Sequence, residues 1–323
     1  MKKQILTLHL AIAALALPYL CAAQTDNYPT KSVRIIAPFP PGGSVDTVGR
    51  LVGARLSESY GQTFVIDNRS GASGNIGMEI AANAPGDGYT LVVNTLPLVT
   101  NQFIYSKVRY DPLRDFVPVS LLTATATLCV VHPSLPAKSI RELITLAQSR
   151  GDALNYGGAG AGTNPHIAGE LFNYLAKTNI TIIHFKGGGP AMIATLSGEI
   201  SIGFPALPDT LAHVRSGRLR ALGVTSLKRA PQLPDVPTVA ETLPGYEFTT
   251  WQGLLAPKNT PRAIVASLSE RIKKSLSAPE HIKRFNDSGL DIIASTPEEF
   301  AVHLKKETEK WGKVIKERRM KAD

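Results

Sequence analysis

From Val33 onward, short apolar runs alternate with stretches whose apolar residues recur every three or four positions, and this alternation leaves few folds open. Val33-Arg34-Ile35-Ile36 reads as a strand, and Val45, Val48, Leu51, Val52 and Leu56 then share one face of a helix. Phe64-Val65-Ile66 and Tyr89-Thr90-Leu91-Val92-Val93 are further strands. Leu154-Asn155-Tyr156, Thr181-Ile182-Ile183, Ile200-Ser201-Ile202 and Leu219-Arg220-Ala221-Leu222-Gly223-Val224 continue the pattern, with helical stretches between most of them. Strands separated by helices assemble into parallel sheets covered on both faces. The expected fold class is therefore α/β, each domain a mostly parallel sheet flanked by helices.

Several helix starts are legible. Ser139-Ile140-Arg141-Glu142 is a capping box, Thr260-Pro261 places a cap before Pro at the first helical position, and Thr296-Pro297-Glu298-Glu299 combines both devices. From Pro261 the chain reads as mostly helical. Two long extended segments, 116–132 and 248–257, break the alternation and suggest two hinge strands joining two domains. The expected division is 24–124 and 228–323 for the first domain and 125–227 for the second.

Three strand-to-helix junctions are rich in glycine. Pro38-Phe39-Pro40-Pro41-Gly42-Gly43-Ser44 follows the first strand and leads into a helix containing Asp46. Gly157-Gly158-Ala159-Gly160-Ala161-Gly162-Thr163 leads into a helix opening Asn164-Pro165-His166. His184-Phe185-Lys186-Gly187-Gly188-Gly189 leads into one opening at Pro190. Open α/β sheets bind ligands at the carboxyl ends of their strands. There the first turn of a helix offers unpaired N–H groups and a partial positive charge, and glycine lets a ligand approach the backbone. Such a junction can hold an anion without a cationic side chain. One belongs to the first expected domain and two to the second, so the three can converge on a cleft. Gly-rich turns before helices are also ordinary connections, and it is the threefold recurrence that points to a ligand. Asp46 reads most simply as a favourable charge at a helix start, and Lys186 as an exposed cation able to attract an anion. His166 and His184 either touch a ligand or cap their turns.

The start of the chain reads as a cleaved secretory signal over residues 1–23: Lys2 and Lys3, an apolar run from Ile5 to Leu17, then Cys21-Ala22-Ala23. The run is shorter than the roughly 20 residues of a membrane span, and Leu20 before Cys21 suits lipid attachment poorly. The mature chain then keeps one cysteine, Cys129 in an apolar run, which reads as a core residue and excludes an internal disulfide. The formal charge of +9 falls to +7 when Lys2 and Lys3 leave. Part of it lies in Lys313, Lys316, Arg318, Arg319 and Lys321, which for an exported chain read as a solvated helix face. No nucleic-acid partner is expected, while a mildly basic surface suits an anionic ligand.

Enzyme motifs fail on inspection. Gly160-Ala161-Gly162 is followed by Thr163-Asn164-Pro165 and does not complete a dinucleotide fingerprint, and no phosphate loop occurs. Gly71-Ala72-Ser73-Gly74 is one residue too tight for a nucleophile elbow. The histidines at 132, 166, 184, 213, 281 and 303 lack metal-ligand spacing. No catalysis, cofactor or metal is expected.

At the junctions the sequence resembles a known family, the substrate-binding proteins of tripartite tricarboxylate transporters, also called Bug proteins. The matching stretches include Pro38-Phe39-Pro40-Pro41-Gly42-Gly43-Ser44-Val45-Asp46, Val65-Ile66-Asp67-Asn68-Arg69 with Gly71-Ala72-Ser73-Gly74-Asn75-Ile76-Gly77, and Pro85-Gly86-Asp87-Gly88-Tyr89-Thr90-Leu91. Phe185-Lys186-Gly187, Pro234-Asp235-Val236-Pro237-Thr238 and Trp251-Gln252-Gly253-Leu254-Leu255-Ala256-Pro257 complete the set. The resemblance covers nearly the whole mature chain. It implies a two-domain periplasmic binding protein of type II-like fold that closes on a carboxylate held by backbone groups and bridging waters. By position, contacts would come from Phe39 to Gly43 (Pro41 and Gly42 included), from Ala161 to His166 (Gly162 and Thr163 included), from Thr95 and from the segment around Phe204. With Ser44, Asp46, Gly160 and Lys186 from the junctions, these are the candidate ligand-binding residues. The resemblance also implies periplasmic localisation, membrane subunits of a transporter as partners or alternatively a signalling receptor, and a monomer. Two departures stand out: Ser70 replaces a common Pro, and Asn164-Pro165 replaces a small polar pair beside the expected site.

Overall fold

The structure, a computed structural model, describes residues 27–150, 153–287 and 289–322. The expected signal segment lies outside the described residues. In chain order the elements are β1 (Val33–Ala37), α1 (Ser44–Tyr60), β2 (Phe64–Asn68), α2 (Asn75–Ala82), β3 (Thr90–Asn94), α3 (Pro97–Ile104), β4 (Phe116–Ala126) and β5 (Leu128–Val131). Next come α4 (Ile140–Arg150), β6 (Asn155–Gly158), α5 (Asn164–Ala176), β7 (Thr181–His184), α6 (Gly188–Ser197), β8 (Ile202–Gly203), α7 (Leu207–Arg215) and β9 (Arg220–Val224). The chain ends with β10 (Thr249–Pro257), α8 (Arg262–Leu276), α9 (Pro279–Asp287), β11 (Asp291–Ile292) and α10 (Pro297–Arg318).

Two sheets result, one ordered β11-β4-β10-β3-β1-β2 and the other β7-β6-β8-β5-β9. Both are mixed, where the alternation predicted mostly parallel sheets, and the cause is an exchange of strands. β1 is parallel to β2 and β3, and β10 lies antiparallel between β3 and β4, so β1 to β4 share one direction. β11 adds an antiparallel edge on β4. In the second sheet β6 is parallel to β7 and β8, while β5 lies antiparallel between β8 and β9. Each sheet is thus a parallel set into which a strand arriving from the other sheet inserts in reverse.

The outward crossing is nearly continuous, since only Thr127 separates β4 from β5. Before the return crossing, segment 228–247 packs with the second sheet: Thr238 bridges Val224, and the Tyr246 hydroxyl donates to the Ala168 carbonyl at 3.0 Å. Phe248 N–H then donates to the Thr225 carbonyl, and β10 begins one residue later.

Helix α1 covers the first sheet through Val45, Val48, Val52 and Leu56, all buried at helical spacing. Each such side chain contributes roughly 1.5–3 kcal/mol of transfer free energy. Thr296 and Glu299 form the expected capping box at the start of α10. Helix α8 begins one residue later than expected, with Pro261 as its N-cap. Its extended backbone (ψ 136°) leaves Arg262 as the first helical residue. Trp251 of β10 and Trp311 of α10 both donate their indole N–H to the same Glu307 carboxylate oxygen, at 3.0 and 2.9 Å. Arg318 near the end of α10 pairs with Glu170 of α5 at 3.3 Å, so one helix braces elements of both sheets.

Candidate functional site

A cavity of about 520 Å³ opens where the three glycine-rich junctions meet. The first contributes the stretch from Phe39 through Gly43 and on to Val45. The second contributes Ala159, Thr163, Asn164 and Pro165, and the third runs from Lys186 to Pro190. A Cβ at Gly187 would lie 3.8 Å from Pro40 Cγ, which places the first and third junctions face to face. Helix α6 starts at Gly188, two residues before the expected Pro190, because Gly187 with φ +111° serves as its N-cap.

Two further helix starts reach the same cavity and carry no glycine signal. Thr95 and Pro97 bring the start of α3 to it, and Phe204, Pro205, Ala206 and Asp209 bring the start of α7. At all five starts, of α1, α3, α5, α6 and α7, no side chain caps the helix. The orphan N–H groups at the starts of α1, α5 and α6 therefore open on one volume, each end adding roughly half a positive charge. At α3 the Leu98 and Val99 N–H groups already bond the Thr95 and Leu96 carbonyls, and at α7 Asp209 sets an acid in the first turn. Proline at N1 or N2 of α3, α5 and α7 removes some donors there.

The remaining wall is polar at one end and apolar at the other. Thr95 Oγ1 lies 3.4 Å from Thr250 Oγ1 and accepts from Asn164 Nδ2 at 3.3 Å. The Asn164 Oδ1 atom is buried without a hydrogen-bond partner among the described residues. Met192 and Ile193 add apolar surface, while Phe204 is almost fully buried, edge-on to Tyr156 at 5.9 Å.

Of the predicted residues, Phe39, Pro41, Gly42, Gly43, Ser44, Thr95, Thr163, Lys186 and Phe204 line the cavity. Asp46, Gly160, Ala161, Gly162 and His166 do not, and each has a different position. Asp46 is buried behind the first junction, where it accepts from Gly42 N–H at 2.9 Å, from Arg50 and from Asn68. Burial alone would raise its pKa, but the Arg50, Gly42 and Asn68 hydrogen bonds outweigh that and hold it below the usual value. Asn68 also donates to the Phe39 carbonyl at 3.1 Å, so this pair clamps the 38–43 loop.

His166 has the same relation to the second junction. Its Nδ1 accepts from Gly162 N–H at 2.9 Å, which requires the neutral ring. Burial first, and then the neighbouring His184 ring 5.0 Å away, push its pKa down to about 3. Gly162 has φ +76°, and a Cβ there would lie 2.8 Å from Asn101 Oδ1 of α3. The Gly162 carbonyl accepts from Thr100 of the same helix at 2.9 Å. Gly160, at φ +119°, abuts Ser73 in the same way. These glycines permit close packing against the first-sheet elements, behind the cavity wall.

Wall residues absent from the prediction include Thr127, Thr250, Ala206 and Asp209. The motif Ala206-Leu207-Pro208-Asp209, with Pro at N2 and an acid in the first turn, marks a helix start that glycine counting passes over. Among the described residues no cluster of three or more His, Cys, Asp or Glu could hold a metal, and no helix is long and apolar enough to cross a membrane.

Comparison with known proteins gives this geometry a lineage. A family model described as the tripartite tricarboxylate transporter family receptor, TctC, matches residues 48–320. The chain belongs to this family. The receptor is 32% identical to protein BugT of Bordetella pertussis, over 97% of this chain and 96% of that one. Among solved structures, R. palustris Rpa4515 with adipate superposes with a TM-score of 0.86 at 37% identity, covering 90% of this chain and 98% of that chain. MatC from Rhodopseudomonas palustris with bound malate gives 0.84 at 32% identity, covering 89% and 100%. The two-sheet α/β architecture of this receptor is that of TctC-type periplasmic binding proteins, a family of solute-binding receptors.

Proposed function

We propose that this receptor captures a small organic carboxylate in the cavity between its sheets, in the periplasm, and presents it to the membrane subunits of a tripartite transporter. The observation that carries this reading is the convergence of three uncapped, glycine-flanked helix starts, those of α1, α5 and α6, on one volume of about 520 Å³. A carboxylate satisfies several orphan N–H groups at once, and the summed dipoles favour its charge. A neutral solute gains no such electrostatic term. The carboxylates bound to the related Rpa4515 and MatC support the ligand class. The partner follows from the family's transporter and the periplasmic location from its character. Backbone donors fix the carboxylate and leave identity to the few side chains around it.

Thermal unfolding against a panel of mono-, di- and amino-carboxylates and neutral sugars tests the proposal. A ligand at a hundredfold its Kd stabilises the folded state by about 2.7 kcal/mol, equivalent to about 4 °C in Tm for a chain of this size. At least one carboxylate is expected to give such a shift while the sugars give none. Stabilisation by sugars with none by any carboxylate would overturn it.

A further inference from the structure

The cavity wall carries two charged side chains among the described residues, Lys186 and Asp209. They are not an ion pair, and neither has a hydrogen-bond or ionic partner among those residues. Other buried or half-buried acids differ in this respect. Asp46 is bound by Arg50, Asp67 by Arg34 and Arg69, and Asp115 by Arg114 and Lys258. Asp209 stands in the first turn of α7, where a carboxylate ordinarily rests against the helix dipole. Its side chain is exposed to the solvent of the cavity, while the protein packed around it raises its pKa by desolvation. The Asp209 carboxylate is therefore an acid that the protein leaves uncompensated inside a site otherwise built to attract anions.

Resting on the carboxylate reading above, we infer that Asp209 is a specificity-determining residue that selects ligands bearing one carboxylate together with an ammonium or other hydrogen-bond-donating group. The charge distribution of the wall supplies the reason. The starts of α1, α5 and α6, with Lys186, offer positive potential and N–H donors to the ligand's carboxylate. Asp209 offers an acceptor and a negative charge to whatever lies opposite. A second ligand carboxylate beside Asp209 must either stay in like-charge contact or take up a proton, and both weaken binding at neutral pH. An ammonium group there gains a charge-assisted hydrogen bond and removes the penalty on the unpaired acid. Met192 and Ile193 supply apolar surface on the same wall for a hydrocarbon segment of the ligand. Specificity of this kind uses repulsion of the wrong ligand as well as attraction of the right one.

Matched pairs of equal reach test the inference: succinate against 4-aminobutanoate, glutarate against 5-aminopentanoate, and adipate against 6-aminohexanoate. Titration calorimetry at pH 7.5 would compare the wild type with Asp209→Asn, whose amide keeps the shape and loses the charge. In at least one pair the wild type is expected to bind the amino acid tenfold or more tightly than the diacid. The variant should lower that ratio at least tenfold, with ligand-free Tm essentially unchanged. A wild-type preference for diacids, equal ratios in the two proteins, or no binding of any amino acid to the wild type would overturn the inference. The thermal-shift panel decides the carboxylate reading separately, because any carboxylate that stabilises the protein sustains it whichever ratio is found.

Discussion

Mild acid should destabilise this protein through His166, and the structure sets the size of the effect. The ordinary histidine pKa of 6.5 is pushed down to about 3 by burial and by His184. Between those values the unfolded chain binds a proton that the folded chain refuses. Stability is therefore complete above 6.5 and is lost as pH falls toward 3, at about 1.4 kcal/mol per pH unit for one such group. By pH 5 the loss amounts to about 2 kcal/mol. His184 and His303 are lowered as well, in each case chiefly by burial, and contribute with the same sign. His166→Asn isolates the share of His166, since the amide oxygen can accept from Gly162 N–H near the Nδ1 position and cannot titrate. Urea denaturation midpoints from pH 7.5 to 5, taken with the m-value, give the slope for each protein. The wild type should be steeper by about 1.4 kcal/mol per pH unit below pH 6. Equal slopes would refute the assignment of His166 as a buried neutral acceptor. Protonation also sets an imidazole N–H against Gly162 N–H, so the second junction should open on the same titration.

Gly162→Ala places a Cβ in the positive-φ region and 2.8 Å from Asn101 Oδ1. It should cost about 2–4 kcal/mol in denaturant. Gly43→Ala, with φ −80° and nearest atom at 3.7 Å, should cost under about 1 kcal/mol. Lys186→Ala should weaken carboxylate binding by about three- to tenfold at low ionic strength, with the deficit shrinking in about 0.5 M salt because the side chain is exposed. A deficit insensitive to salt would assign Lys186 a direct, dehydrated contact. The Cys129 thiol, buried and pushed up to about 12 by desolvation, should resist thiol reagents in the native state and react on unfolding.

The elements were legible because their apolar periods differ: β1, β2 and β3 are short runs, and α1 repeats at three and four. Strand direction was not, because insertion of β10 and β5 against their neighbours is a tertiary event without local pattern. The wall was half legible for a similar reason. Glycine marks a close backbone approach, whether a ligand or another helix approaches, and so Gly162 and Gly187 look alike in sequence. One packs behind the wall against α3, and the other faces the cavity. The start of α3 announces itself only by Pro97, and that of α7 only by Pro208 and Asp209. Asp46 and His166 were correctly placed at junctions, but their partners are backbone N–H groups four residues upstream, a capping geometry that spacing alone does not separate from ligand contact.

The crossings between the sheets explain why the cavity lies where it does. Thr127, the one residue between β4 and β5, is tied to Thr225 through the Thr127 N–H at 2.9 Å, the paired hydroxyls at 2.9 Å and the Thr225 N–H at 3.0 Å. Thr225 in turn accepts from Phe248 at the head of β10, so the outgoing and returning strands are fastened at one knot. Thr127 and Thr250, on either side of that knot, also line the cavity. A solute touching them bears on the backbone at which the two sheets are joined. Contacts made from the helix starts of α1 and α3 on one side and α5, α6 and α7 on the other then act on two bodies whose separation is set at Thr127. Binding energy gained from both sides can thus favour one relative placement of the sheets over another in proportion to the difference in contacts. The helix starts and the crossing share the cavity wall because a parallel strand presents its carboxyl end, and the helix start after it, toward the edge where the exchanged strand enters.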